Sequence, residues 1–116
     1  GIRTGTTMSL MKKSSPRAAI QSNTVIGVIA TDAKLTKSQV TKVAQMAQDG
    51  LARVIRPAHT MFDGDTIFAL ATGEHQADVP MIGAFAADVM AEAILRAVKL
   101  ASPAGGLQGL LKTKKG

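Results

Sequence analysis

The segment TVIGVIAT, residues 24–31, decides the fold of this chain. It is apolar at odd and even positions alike and rich in β-branched residues, a pattern typical of a strand that is buried on both faces. Gly27 omits a side chain in the middle of the segment, which predicts a close packing contact at that point. The polar segment QSN, residues 21–23, precedes it. This change from polar to apolar residues places Thr24 at the start of the strand.

A helix and a second strand follow. The segment TKSQ, residues 36–39, has capping-box spacing, and apolar residues then recur every three or four positions, which predicts an amphipathic helix over residues 37–56. Pro57 ends this helix because it has no amide N–H to continue the hydrogen bonding. The apolar segment TIFALAT, residues 66–72, predicts a second strand, and residues 81–101 have the spacing of a second helix. The order strand, helix, strand, helix belongs to the α/β class.

The flanking segments differ in composition from this middle part. Residues 1–23 are rich in Gly, Thr, Ser and Lys and show no sustained periodicity, which predicts a linker. Residues 102–116 are rich in Pro, Gly and Lys, which predicts a flexible basic tail. We therefore expect one α/β unit over residues 24–101.

Composition argues against several classes of function. The chain has 116 residues and no cysteine, so it forms no disulfide and offers no thiolate to a metal or a substrate. Its two histidines, His59 and His75, have no partner at metal-ligand spacing. We therefore expect neither a metal site nor a cofactor. The absence of cysteine is compatible with a cytoplasmic location, which we expect.

The positive charge lies at the two ends of the chain. The net charge is +6, yet residues 24–98 hold six basic and eight acidic side chains, a net charge of −2. The chain has three Phe and no Trp or Tyr, which leaves few rings for stacking on bases. We therefore expect no nucleic-acid partner. No uncharged segment reaches the roughly eighteen residues that a membrane span needs, so we expect no membrane association either.

Thr24 is the candidate nucleophile. A threonine hydroxyl attacks poorly until a base takes its proton, and an N-terminal threonine carries that base in its own α-amine, whose ordinary pKa is about 7.7 to 8.0. Cleavage of the Asn23–Thr24 bond would therefore create an active site. The plainer interpretation is that Thr24 opens a strand only because of its β-propensity.

Asp63 and Asp65 are the candidate orienting groups. They precede the second strand, and they reach the edge of the sheet where Thr24 begins if the two strands are neighbours. A carboxylate there would orient the threonine and stabilise its protonated amine. The alternative is an ordinary turn, in which Gly64 supplies a positive φ.

Six motifs, in order along the chain, carry a family resemblance: NTVIGVIAT at residues 23–31, LTK at 35–37, DGLAR at 49–53, IRPAHT at 55–60, FDGDT at 62–66 and FALATG at 68–73. They resemble the C-terminal part of a family of self-cleaving hydrolases. This family includes the L-aminopeptidase/D-amidase-esterases, the β-peptidyl aminopeptidases and the nylon-oligomer hydrolases. The resemblance covers about residues 23–101.

The resemblance implies a layered α-β-β-α sandwich, of which this chain holds only the C-terminal strand–helix–strand–helix part. It implies self-cleavage between Asn23 and Thr24, with Thr24 as the nucleophile and with Asp63 and Asp65 near it. Residues 1–23 would then be the tail of a large upstream subunit, which contributes a lysine, an oxyanion-stabilising asparagine and much of the substrate pocket. The cleaved heterodimers would assemble into a homo-oligomer.

The expected function is that of an N-terminal-nucleophile hydrolase, either an aminopeptidase or an amide-oligomer hydrolase, acting on a small amide or peptide. As a fragment alone, the chain is expected to be inactive. Acyl transfer of the ornithine acetyltransferase type would use the same threonine chemistry. A noncatalytic assembly module is the alternative from another class, and an intact Asn23–Thr24 bond in the mature protein would favour it.

Overall fold

The fold consists of two parallel strands and two helices that alternate along the chain. A computed structural model describes residues 23–111. In it, β1 spans Ile26–Ala33, α1 spans Lys37–Val54, β2 spans Thr66–His75 and α2 spans Val79–Leu100. This order confirms the α/β class and the strand–helix–strand–helix unit. Most of the predicted linker and the end of the predicted basic tail, residues 1–22 and 112–116, lie outside the described residues.

Both helices contribute to a core on one face of the two-stranded sheet. The buried side chains of this core come from one face of the sheet and from the facing sides of the two helices: Ile29, Val43, Ala47, Ile67, Ala86 and Met90. Gly27 admits the side chain of Met90, because a Cβ atom at residue 27 would lie 2.8 Å from Met90 Cε. This is the close contact that the glycine in the strand predicts.

The other face of the sheet is apolar, and no helix among residues 23–111 covers it. Its side chains are exposed by 69% at Ile26, 59% at Val28, 58% at Phe68 and 49% at Leu70, and we call these four residues the open sheet face. The sequence pattern predicts a strand covered on both sides. The structure differs because residues 23–111 supply helices to one side of the sheet only.

Helix α1 begins where its sequence predicts. Thr36 Oγ1 accepts a hydrogen bond from the Gln39 N–H at 3.3 Å, and Gln39 Oε1 accepts one from the Thr36 N–H at 2.8 Å, which completes the capping box. The helix ends at Val54, two residues earlier than predicted, because Ile55 is already extended at φ −111° and ψ 124°.

The two helices pack closely at Gly50. A Cβ atom there would overlap with the Ala87 carbonyl oxygen of α2, so the glycine lets the two main chains approach each other. An exposed ion pair between Arg53 Nη1 and Asp88 Oδ1, 2.6 Å apart, links the same two helices outside the core. Among the described residues, neither helix combines the length and the hydropathy of a membrane span.

Strand β2 runs past its predicted end. It continues through Gly73, at φ 83°, to His75, while the pairing with β1 shifts between Thr31 and Ala33. The His75 carbonyl then accepts a hydrogen bond from the Lys34 N–H at 2.6 Å. The two strands therefore end together at the edge of the sheet opposite to Thr24.

Candidate functional site

Strand pairing continues beyond the start of β1 and puts Thr24 beside the Asp63–Asp65 segment. Asn23 forms a parallel bridge with Asp63, and Ile26 pairs with Thr66, so the same offset holds on both sides of Thr24. The Asn23 carbonyl accepts a hydrogen bond from the Gly64 N–H at 3.1 Å. This register sets Thr24 opposite Gly64 and Val25 opposite Asp65. The two strands are neighbours, as the candidate site requires.

Thr24 lies outside the aliphatic core. It precedes β1 by two residues and is exposed. Its Oγ1 atom lies 3.1 Å from the position that a Cβ atom would take on Gly64. Thr24 also has the same parity as Ile26 and Val28, and side chains alternate along a strand, so its hydroxyl stands at the end of the open sheet face.

Asp65 binds the amide that follows Thr24. Its Oδ1 atom accepts a hydrogen bond from the Val25 N–H at 2.9 Å, and the residue is half-buried. In an uninterrupted parallel ladder, that N–H would be bound by the carbonyl of residue 64. The Gly64 carbonyl instead accepts a hydrogen bond from Thr66 Oγ1 at 3.3 Å. Asp65 thereby fixes the main chain immediately after the candidate nucleophile.

Asp63 closes the loop that leads into β2. Its Oδ2 atom accepts hydrogen bonds from the Thr60 N–H and from Thr60 Oγ1, each at 2.9 Å. The Asp63 N–H returns a hydrogen bond to the Thr60 carbonyl at 3.1 Å. Thr60 is a member of this site that sequence reasoning did not single out, although its three-residue spacing from Asp63 is a recognisable signal for such a turn.

Within residues 23–111, neither carboxylate is hydrogen-bonded to Thr24 itself. Asp65 binds the next amide along the chain, and Asp63 binds Thr60. A hydrogen bond from the threonine amine or hydroxyl to one of these carboxylates therefore stays a prediction for the cut protein. The catalytic roles of Thr24, Asp63 and Asp65 likewise stay predictions.

Gly64 does not have the positive φ that the alternative interpretation as a turn assigns to it. The glycines with positive φ among the described residues are Gly73, Gly105 and Gly106. The φ of Gly64 is therefore not one that by itself favours glycine. Its missing side chain must therefore be explained by its surroundings.

An apolar groove of about 880 Å³ begins next to Thr24. It follows β1 from Val25 to Ile29 and is walled by the second half of α2 and by the chain that leaves α1 at Val54. Within residues 23–111, β1 pairs with β2 alone, so the groove lies along an unpaired strand edge. Sequence reasoning missed it because its walls are far apart along the chain.

A group of three polar residues lies at the opposite end of the sheet. Ligand atoms of Asp32, Glu74 and His75 come within 4.8 Å of one another, and all three residues are exposed. His75 Nε2 lies 3.6 Å from Asp32 Oδ2, an ion pair when the histidine is protonated. The register shift near the end of β1 creates this group, so no motif in the sequence indicates it.

The candidate nucleophile thus lies just before β1, beside the two carboxylates of the segment that leads into β2. Comparison with known proteins identifies the class as a peptidase. The model of peptidase family S58 matches residues 1–111, so the chain belongs to this family. This confirms the resemblance to the family of the aminopeptidases and nylon-oligomer hydrolases.

Curated relatives carry two kinds of name. An uncharacterized aminopeptidase of Mycobacterium leprae is 49% identical over 108 residues, covering 80% of this chain and 29% of that protein. An uncharacterized aminopeptidase of Mycobacterium tuberculosis is 46% identical over 116 residues, covering 85% of this chain and 34% of that protein. A 6-aminohexanoate-oligomer endohydrolase of Kocuria sp. is 31% identical over 90 residues, covering 66% of this chain and 25% of that protein. The chain therefore spans about a third or less of the length of these relatives.

Proposed function

We propose that this chain is the C-terminal part of an N-terminal-nucleophile hydrolase that cuts itself between Asn23 and Thr24. The observation that carries the proposal is the register of the sheet. It sets an exposed threonine against the segment whose Asp65 binds the Val25 amide and whose Gly64 N–H binds the Asn23 carbonyl. Membership in a peptidase family supports the same conclusion.

Self-cleavage would begin with attack of Thr24 Oγ1 on the Asn23 carbonyl carbon. The C–N bond to Thr24 breaks, the hydroxyl proton passes to the released nitrogen, and the acyl group becomes an ester on Oγ1. Water hydrolyses this ester and leaves a carboxylate on Asn23. The products are a free α-amine and a free hydroxyl on Thr24, which is the activated form of this nucleophile.

Hydrolysis of a substrate would repeat this chemistry. The α-amine takes the proton of the Thr24 hydroxyl, and Oγ1 attacks the amide carbonyl of the substrate. The amine product leaves with that proton, and water releases the acid from the acyl-enzyme. Asp65 would keep the Thr24–Val25 peptide in place through both steps. The substrate class is peptide or peptide-like amide, the two kinds of bond that the relatives' names indicate.

The upstream part of the same precursor is the proposed partner. The open sheet face leaves four large apolar side chains in water, and the apolar groove leaves the edge of β1 unpaired. A contiguous exposed apolar surface of this kind marks an interface. The chain spans about a third of the length of its mycobacterial relatives, so most of such a protein remains to cover it.

The test uses the full-length precursor with Thr24→Ala, Thr24→Ser and, as a matched control, Thr41→Ala, which removes an exposed threonine on α1. Thr24→Ala should abolish self-cleavage on a denaturing gel and also hydrolysis of aminoacyl amides and 6-aminohexanoate oligomers. Thr24→Ser should retain part of each activity, and Thr41→Ala should retain both in full.

Two outcomes would contradict the proposal. An alanine variant at Thr24 that still separates into two subunits would exclude this hydroxyl as the self-cleaving nucleophile. If the mature, active protein had the mass of the uncut precursor, the Asn23–Thr24 bond would not be cut. Product analysis in the presence of a free amine would separate hydrolysis, which releases the acid, from acyl transfer, which makes a new amide.

A further inference from the structure

We propose that Gly64 is a positioning residue for the nucleophile: its missing side chain keeps a place for the Thr24 hydroxyl. The inference rests on the proposed function. It adds to the site a residue that has no side chain to ionise or to attack a substrate.

Backbone conformation does not explain the glycine. Glycine is the usual residue where φ is positive, as at Gly73 with φ 83°. Gly64 lies outside that region, so a positive φ does not account for its glycine. Glycine also weakens an ordered segment, since the unfolded chain loses more conformational freedom there than with alanine. A glycine that costs stability where no positive φ requires it calls for a local reason.

The surroundings supply that reason. The atoms within 4 Å of a Cβ atom built on Gly64 are Thr24 Oγ1 at 3.1 Å and Thr24 Cγ2 at 3.9 Å. The first distance is tighter than real Cβ contacts usually are. An alanine would therefore displace the hydroxyl, by a few tenths of an ångström, and would leave the buried core untouched.

The main chain of Gly64 lies at the same reaction centre. Its N–H donates a hydrogen bond at 3.1 Å to the carbonyl oxygen of Asn23, the carbonyl that Thr24 would attack. This one residue therefore contacts the scissile carbonyl through its N–H and borders the attacking hydroxyl through its bare Cα. A donor aimed at that oxygen stabilises the negative charge that forms on it during attack.

The rate should respond strongly to a small displacement. Misplacing a reacting group by about 1 Å can cost about a hundredfold in rate, so a shift of a few tenths should cost about tenfold. In the full-length precursor, Gly64→Ala should slow self-cleavage about tenfold. In the cut enzyme it should lower kcat by a similar factor and leave KM unchanged, because the change crowds the nucleophile and not the substrate pocket.

The experiment compares Gly64→Ala in two backgrounds, Thr24 and Thr24→Ser. Serine lacks the Cγ2 methyl, so its hydroxyl can turn away from a new methyl at residue 64. The slowing caused by Gly64→Ala should therefore be smaller in the serine background. Thr41→Ala, an exposed substitution on α1, is the control for a change away from the site, and a thermal melt of each variant checks folding.

Equal slowing in both backgrounds would overturn the inference, since a general structural defect acts on either nucleophile. A wild-type rate for Gly64→Ala would overturn it as well. If Thr24→Ala is inactive while Gly64→Ala is fully active, this inference fails and the proposed function stands. If Thr24→Ala still cuts itself, the proposed function fails first.

Discussion

Asp65 takes the place of a main-chain carbonyl beside the proposed nucleophile, and it could act there either as a hydrogen-bond acceptor or as a charge. Its oxygen accepts the Val25 N–H at 2.9 Å, and an asparagine would keep that acceptor while losing the charge. An alanine would lose both. The pair Asp65→Asn and Asp65→Ala therefore distinguishes a structural contribution from an electrostatic one.

We expect Asp65→Asn to fold like the natural protein and to lose at least tenfold in hydrolysis rate. Asp65→Ala should lose activity too and, because a half-buried N–H then has no partner, about 1 to 3 kcal/mol of the free energy of unfolding. Chemical denaturation and initial rates of the cut enzyme measure the two effects. Full activity in the asparagine variant would limit Asp65 to holding the Val25 amide.

At the scale of elements, the start of α1 depends on one hydroxyl. Thr36→Ala removes the acceptor of the Gln39 N–H and should lower the free energy of unfolding by about 1 kcal/mol. Thr41 is a matched control on the same helix: it is exposed, and its hydroxyl binds the Lys37 carbonyl within the helix. Thr41→Ala should be neutral or slightly stabilising, because alanine favours helix interiors. Equal losses in a denaturant titration would contradict the capping role.

The elements that local chemistry controls are the ones the sequence predicts well. The capping box marks the start of α1, and the spacing of Val43, Ala47 and Leu51 identifies its buried face. The end of β2 is predicted less well, because its continuation through Gly73 depends on pairing with a strand far away in the sequence.

The candidate site follows the same division. Its residue types and approximate neighbourhood can be predicted from the sequence, since Thr24, Asp63 and Asp65 all flank strands. The hydrogen bond from the Val25 N–H to Asp65 cannot be predicted from the sequence, because it joins residues 40 positions apart and forms in one strand register only. The same holds for the contact between Gly64 and the Thr24 hydroxyl.

At the scale of the whole molecule, the open sheet face should hold the upstream part of the precursor. Phe68→Asp places a charge in the middle of this face, where the ring is 58% exposed, so the chain itself should still fold. In the full-length protein, the buried charge should weaken association of the two subunits. Gel filtration of the cut protein measures this loss.

Gln45→Asp is the matched control for that experiment. Gln45 is exposed on α1, on the far side of the molecule from the open sheet face, and the change adds the same charge. It should leave subunit association unchanged. Unchanged association in the Phe68→Asp protein would show that the upstream part binds elsewhere.

The pairing of Thr24 with Gly64 also bears on errors of folding. A chain whose strands slipped by one residue would set Asp63 or Asp65 opposite Thr24, because side chains alternate between the two faces of a sheet. Under the proposed chemistry, such a molecule would remain whole. Cleavage would then depend on correct strand pairing, since only correctly paired molecules gain a new N-terminus. The intensity of the uncut band on a denaturing gel would measure the fraction of mispaired molecules.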